Sequence, residues 1–273
     1  MLSIIVSIGI GGFVGLLLYD QGIIQSANWC LTIGIIIFIV LQILLGLLVR
    51  KIVKRRTTDI QNIITAGQEK LNRKVQFFQQ KPQGGMKTMQ KILEKDQHVF
   101  IREALDSTKR MEKLYSWNLL LKKQVSTMRM QFYYQLKDFK MCDELIPKAM
   151  YVDPMSVAMK LARQYKNADE AGYNKTFKKK CNKFKKDNAS IVFATYSWIL
   201  VKTGKIDEAV KVLQKGKDKT ENEILTRNWE SVINGKIKRF SNSGFGDQWY
   251  SLYLEEPKNN KPKQKIMRKQ QYR

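Results

Sequence analysis

The chain has 273 residues, 49 of them Lys or Arg and 24 Asp or Glu, for a formal net charge of +25; 44% are apolar. So large an apolar share excludes wholesale disorder, and the length allows one large or two small domains. All the basic residues lie from Arg50 onward and the head before it carries one acid, Asp20, so an uncharged segment precedes a strongly basic body.

Leu2 to Tyr19 is free of charge, and Trp29 to Val49 has Gln42 as its only strongly polar member. Each can cross a hydrocarbon core of about 30 Å, which takes about 20 helical residues. The chain therefore reads as a transmembrane hairpin over 1–50, with spans near 2–19 and 29–49. A cleaved signal peptide would need a basic leading segment and a small-residue cleavage site, and the first span has neither. Gly11 and Gly15 form a G-x-x-x-G that suits close helix approach, most simply to the second span.

Arg50, Lys51, Lys54, Arg55 and Arg56 follow the second span directly. Clusters of this kind stay on the cytoplasmic side, so both termini are expected there, joined outside by the short link from Asp20 to Asn28. The protein is thus expected to be integral to a membrane.

Residues 51–121 read as juxtamembrane and connecting helices. Ile60, Ile63, Ile64, Leu71, Val75 and Phe78 make one helical stripe beginning near Asp59, a candidate N-cap, and Pro82 to Gly85 would stop it. A second helical region runs from Met86 to Gln135 with a break expected near Tyr115.

Over 122–235 the chain repeats itself. The segment Leu136 to Pro154 aligns with Thr203 to Gly216 at a separation of 67 residues, close to twice a 34-residue period. Phe139, Cys142, Ile146, Ala149 and Pro154, preceded by Tyr133, follow the same series as Gly204, Ile206, Ala209, Leu213 and Gly216, preceded by Leu200. These residues resemble the turn and second helix of the tetratricopeptide repeat (TPR) family. Between them, Leu161, Ala162 and Tyr165 fit the first helix of a further repeat. Tyr173, Phe177, Cys181 and Phe184 fit its second, after a turn about two residues longer than the family norm. The resemblance implies an all-α fold, a solenoid of about three helix pairs, capped by a helix from Glu223 to Ile233.

Phe240, Phe245, Trp249, Tyr250 and Tyr253 then predict a segment over 236–257 that packs back as part of the cap, exposed aromatic anchors being the alternative. Residues 258–273, basic and free of acid, read as a disordered tail.

Nothing in the chain reads as a catalytic, cofactor or metal site. Cys30, Cys142 and Cys181 lack zinc-type spacing, His98 is the single histidine, and no phosphate-binding or nucleophile motif occurs. Lys178, Lys179, Lys180, Lys183, Lys185 and Lys186 stand out instead, expected on the polar face of one helix. Such a cluster attracts anionic lipid, RNA or an acidic protein, or simply solubilises.

The layout of a two-span hairpin before a cytoplasmic repeat domain is similar to the HemY-type group of membrane-anchored TPR proteins of bacteria, and that resemblance implies a bacterial inner membrane. No residue supports haem binding, so only the scaffold role carries over as an expectation: a membrane-bound adaptor gripping protein partners, its basic surfaces on anionic lipid. A ribosome or nucleic-acid tether working through the lysines is the alternative, and an enzyme is not expected.

Overall fold

The 18-residue run from Leu2 to Tyr19 contains no proline and is mostly Ile, Leu, Val and Phe, and the first helix, α1 (Leu2–Asp20), takes up the whole of it. The structure, a computed structural model, describes residues 2–21, 26–80, 85–118 and 120–257. Expectations for the centre of the first link, most of the Pro82–Gly85 stop and the tail 258–273 lie outside those residues. All elements among the described residues are helical, with no strand.

The second helix differs from the sequence reading. Instead of a span followed by a separate amphipathic helix, α2 (Ala27–Gln80) is one helix of 54 residues, about 80 Å long at 1.5 Å per residue. The basic run after Val49 marks a change of surroundings without interrupting the backbone, because Lys and Arg are good helix formers. Thr57 and Thr58 turn their hydroxyls inward and donate to the carbonyls of Val53 and Lys54, at 2.9 and 3.0 Å. Asp59, expected as a cap, sits in mid-helix and pairs with Arg56 at 3.8 Å.

Helices α1 and α2 pack side by side, with Ser7, Gly11 and Gly15 buried on α1. At the crossing a Cβ on Gly11 would stand 2.7 Å from the Gly34 carbonyl oxygen. Both helices are long and apolar enough to cross a membrane, and none of the apolar window of α2 is buried by protein. The core helix of a soluble protein would be covered.

The chain divides into two compact units, 1–151 and 152–273. In the first, α3 (Met86–Ser107) returns along the lower half of α2. Lys74 pairs with Asp96, and a Cβ on Gly67 would run into the Phe100 ring. Ile60, Ile101, Ala104, Met111, Leu121, Val125 and Phe132 form the core there, with Ile63 and Ile64 packed on it. A 3-10 stretch over Thr108–Leu114 leads towards α4 (Leu121–Gln135), so the break expected near Tyr115 spans more than a dozen residues. Arg129 of α4 ties that stretch down, donating to Thr108 Oγ1 at 2.7 Å and Glu112 Oε1 at 2.5 Å. The Leu2 N–H donates to the Ser116 carbonyl at 3.0 Å, which sets the start of α1 beside this core.

Helix α5 (Phe139–Leu145) closes the unit and is shorter than the repeat pattern asks. Pro147 has no N–H to continue it, so Ile146–Lys148 forms a 3-10 turn and Ala149 is extended. Pro154 starts the next helix, one residue after the N-cap Asp153, instead of closing α5. Tyr133 is half-buried while its neighbours Phe132 and Tyr134 fill the interior.

The second unit holds α6 (Pro154–Lys166), α7 (Glu170–Lys180), α8 (Ser190–Lys202), α9 (Ile206–Thr220), α10 (Glu223–Ile233) and the short α11 (Asp247–Tyr250). Leu161, Ala162, Leu200, Ala209 and Leu213 are core residues, and Ile206 is half-buried. At Gly216 a Cβ would come 3.1 Å from the Phe193 ring, the close approach that a small residue permits.

One turn recurs four times. Lys137, Ala168, Gly204 and Gly235 each have positive φ, at separations of 31, 36 and 31 residues. At each, the next N–H bonds back five residues: Asp138 to Tyr133, Asp169 to Gln164, Lys205 to Leu200 and Lys236 to Ser231, at 2.8–2.9 Å. This is a Schellman-type helix stop. The turn after α6 is therefore no longer than the others, and the extra residues lie between α7 and α8.

Candidate functional site

Four regions bear on a binding role, and each belongs to one unit. The first is the basic collar on α2. Arg50, Lys51, Lys54 and Arg55 are exposed and Arg56 half-buried, directly after the uncovered apolar window.

The second is the lysine cluster at the end of α7. The helix stops at Lys180 with Cys181 as its C-cap, so Lys178, Lys179 and Lys180 occupy its last turn while Lys183, Lys185 and Lys186 lie beyond it. They were expected on one helical face; the stop after Lys180 places them around a turn instead. Phe177, Cys181 and Phe184 are still buried beneath them. Cations at a helix C-terminus meet the negative end of its dipole. Lys219 of α9 reaches the same end, donating to the Cys181 carbonyl at 2.8 Å, and Lys215 Nζ lies 3.9 Å from Cys181 Sγ. Lys160 of α6 joins from the other side. Burial holds its pKa below the ordinary lysine value, and the charges of Lys179 and Lys175 push the same way. Lys180 is lowered by burial first, then by Lys183, Lys160 and Lys179. Sequence spacing missed Lys160, because only the packing of α6 on α7 brings it to the cluster.

The third surface is the face of α8. Eleven of its 13 residues are buried, and its sequence is apolar all round, as a helix enclosed on every side must be. Phe193 and Tyr196 meet Phe177, the latter stacked at 4.0 Å between ring centroids. The opposite side is covered by the C-terminal segment. Asn242 donates to the Ala194 carbonyl at 2.9 Å and accepts from Asn228 at 2.7 Å. Trp249 packs edge-on to Trp198, and Glu255 accepts from both indoles, at 2.7 Å from Trp198 and 2.9 Å from Trp249. Of the aromatic residues of 236–257, Trp249 is buried against α8, while Phe240, Phe245, Tyr250 and Tyr253 are half-buried. Two polar residues, Asn242 and Glu255, tie the segment to α8, and nothing in the local pattern marked either.

Between α9 and α10 runs an open groove of about 710 Å³ whose lining includes Val210, Trp229 and Ile233, with Lys211, Lys215 and Lys219 along one side. Lys217 Nζ sits 4.3 Å over the Trp229 ring. Among the described residues no three His, Cys, Asp or Glu side chains gather in a way that could hold a metal ion.

No family model, curated protein or solved structure matches the chain.

Proposed function

We propose that the protein is a membrane-anchored adaptor. Its first two helices hold it in the bilayer, and a TPR-like array of about three helix pairs offers surfaces to protein partners at the cytoplasmic face. The observation that carries the anchor is the continuity of α2. One helix passes without a break from an apolar window in which no residue is buried, through five basic residues, into a packed core beginning at Ile60. An apolar stretch that protein leaves unburied is stable where lipid covers it.

The recurring turn supports the array. Its spacings of 31, 36 and 31 residues bracket the 34-residue period of the family, and α4–α5, α6–α7 and α8–α9 are the pairs it would join. Because the C-terminal segment occupies one face of α8, partners would use the remaining helix surfaces of the array. The basic collar and the lysine cluster favour contact with anionic lipid, each Lys or Arg near such a surface contributing about 1 kcal/mol.

A nucleic-acid or ribosome tether is the second reading, favoured by the positive charges of Lys160, Lys179, Lys180 and Lys183 gathered closely enough to repel one another. One experiment tests both. Membranes holding the full-length protein are washed with carbonate, and its cross-linked partners are identified with and without glutamine in place of Lys178, Lys179, Lys180, Lys183, Lys185 and Lys186. The adaptor reading expects carbonate-resistant protein whose protein partners survive the substitutions. Release by carbonate overturns the anchor. Association with RNA that is lost with the lysines, and that falls steeply with salt, favours the tether.

A further inference from the structure

The end of α10 carries an arrangement that neither the array nor the α7 lysines account for. Ile233 is 52% exposed and Ile237 40% exposed, in a run from Ile233 to Arg239 in which every residue faces solvent. Lys236, Lys238 and Arg239 alternate with these isoleucines. Behind them lies the groove floored by Val210 and Trp229, with exposed Lys211 and Lys215 on its rim. The nearby acid Asp218 already accepts from Gln214 at 2.8 Å and lies 3.8 Å from Lys217, so it does little to offset the rim.

Exposed isoleucines cost free energy in water, and the nearby cations Lys211, Lys236, Lys238 and Arg239 select an anionic partner. A folded acidic protein and an anionic bilayer both meet that description. Three features favour the bilayer. The isoleucines sit at an exposed helix end and turn. The cations adjoin the apolar residues along the chain and the groove, as snorkelling side chains can, and Trp229 in the groove suits the headgroup level. Finally, a chain already anchored in a membrane meets lipid at a high effective concentration.

We infer that the second unit docks on the anionic leaflet through the end of α10, with Ile233 and Ile237 entering below the headgroups and Lys211, Lys236, Lys238 and Arg239 on the phosphates. This rests on the membrane-anchored reading and adds to it which surface of the unit meets lipid.

The test uses the full-length protein in nanodiscs of phosphatidylcholine alone or mixed with phosphatidylglycerol. An environment-sensitive fluorophore is attached at Ile233→Cys or, as a comparison, at Lys179→Cys. The expected result is a blue shift and a several-fold drop in acrylamide quenching at position 233, in phosphatidylglycerol discs only, reduced when Lys236, Lys238 and Arg239 become glutamine. Silence at position 233 overturns the inference whatever the probe at 179 does. So does a shift at 233 that appears when RNA is added to phosphatidylcholine discs. In those cases the protein still incorporates into discs and the anchor stands. Protein that fails to incorporate at all overturns the anchor, and this inference with it.

Discussion

At Lys137, Ala168, Gly204 and Gly235 the backbone adopts the same left-handed conformation, but only two of the four are glycine. A side chain costs about 1 kcal/mol there. The repeat is therefore held in place by what surrounds it: Asp138 and Asp169 cap the next helices by accepting from the Met141 and Gly172 N–H groups. Ala168→Gly is accordingly expected to stabilise the second unit by up to about 1 kcal/mol, and Gly204→Ala to destabilise it by a similar amount. Thermal unfolding of the detergent-solubilised protein measures both, and opposite signs are required. Lys160 carries a different kind of strain. Its pKa is depressed from 10.5, so between the depressed value and 10.5 the unfolded chain binds more protons than the folded one, and stability rises with pH across that window. Below the window the cost is present in full. Lys160→Met is expected to raise the unfolding midpoint at neutral pH and to flatten this alkaline rise. Lys180, lowered in the same direction, would leave part of the slope.

At the level of elements, α1 and α2 meet through small residues on one side of α1 only. Gly11 lies against the Gly34 carbonyl, whereas a Cβ on Gly12 would meet nothing within 4 Å. Gly11→Leu is expected to push the helices apart and Gly12→Leu to leave them in place. Cysteine cross-linking between α1 and α2 in membranes reads the difference, and equal loss with both variants contradicts the crossing. The sites that the sequence made legible are those where one residue type has one physical reading. The two apolar runs have the length of spans, and Gly204 stands where a helix must stop. What escaped was set by packing between distant residues. Ala168 looks like an ordinary helix former, and its left-handed φ is what keeps that turn as short as the others. Asp59 looked like the N-cap of a new helix, but α2 runs straight through it. Helix α8 is apolar on every side, which announces burial and says nothing of what covers it; Asn242 and Glu255 lie 48 and 57 residues beyond their partners on α8.

For the whole molecule, the decisive quantity is the distribution of charge about the hairpin. Every Lys and Arg lies from Arg50 onward, and Leu2 bonds to Ser116 of the core that packs on the lower half of α2. If α1 and α2 span a bilayer, the start of α1 and the core lie on one side, and positive charge assigns that side to the cytoplasm. A reporter fused after Arg273 should then be active only inside. The five basic residues nearest the span should dominate, since positive charge acts most strongly within about 15–20 residues of a membrane helix. Replacing Arg50, Lys51, Lys54, Arg55 and Arg56 with glutamine, and adding Gln21→Lys and Asn28→Lys in the opposite link, reverses the local bias while leaving the apolar windows unchanged. A measurable fraction of the protein is expected to invert, with the rest held back by the many lysines farther along the body. Full retention of the native orientation would mean that the folded mass beyond α2, and not the collar, determines the topology.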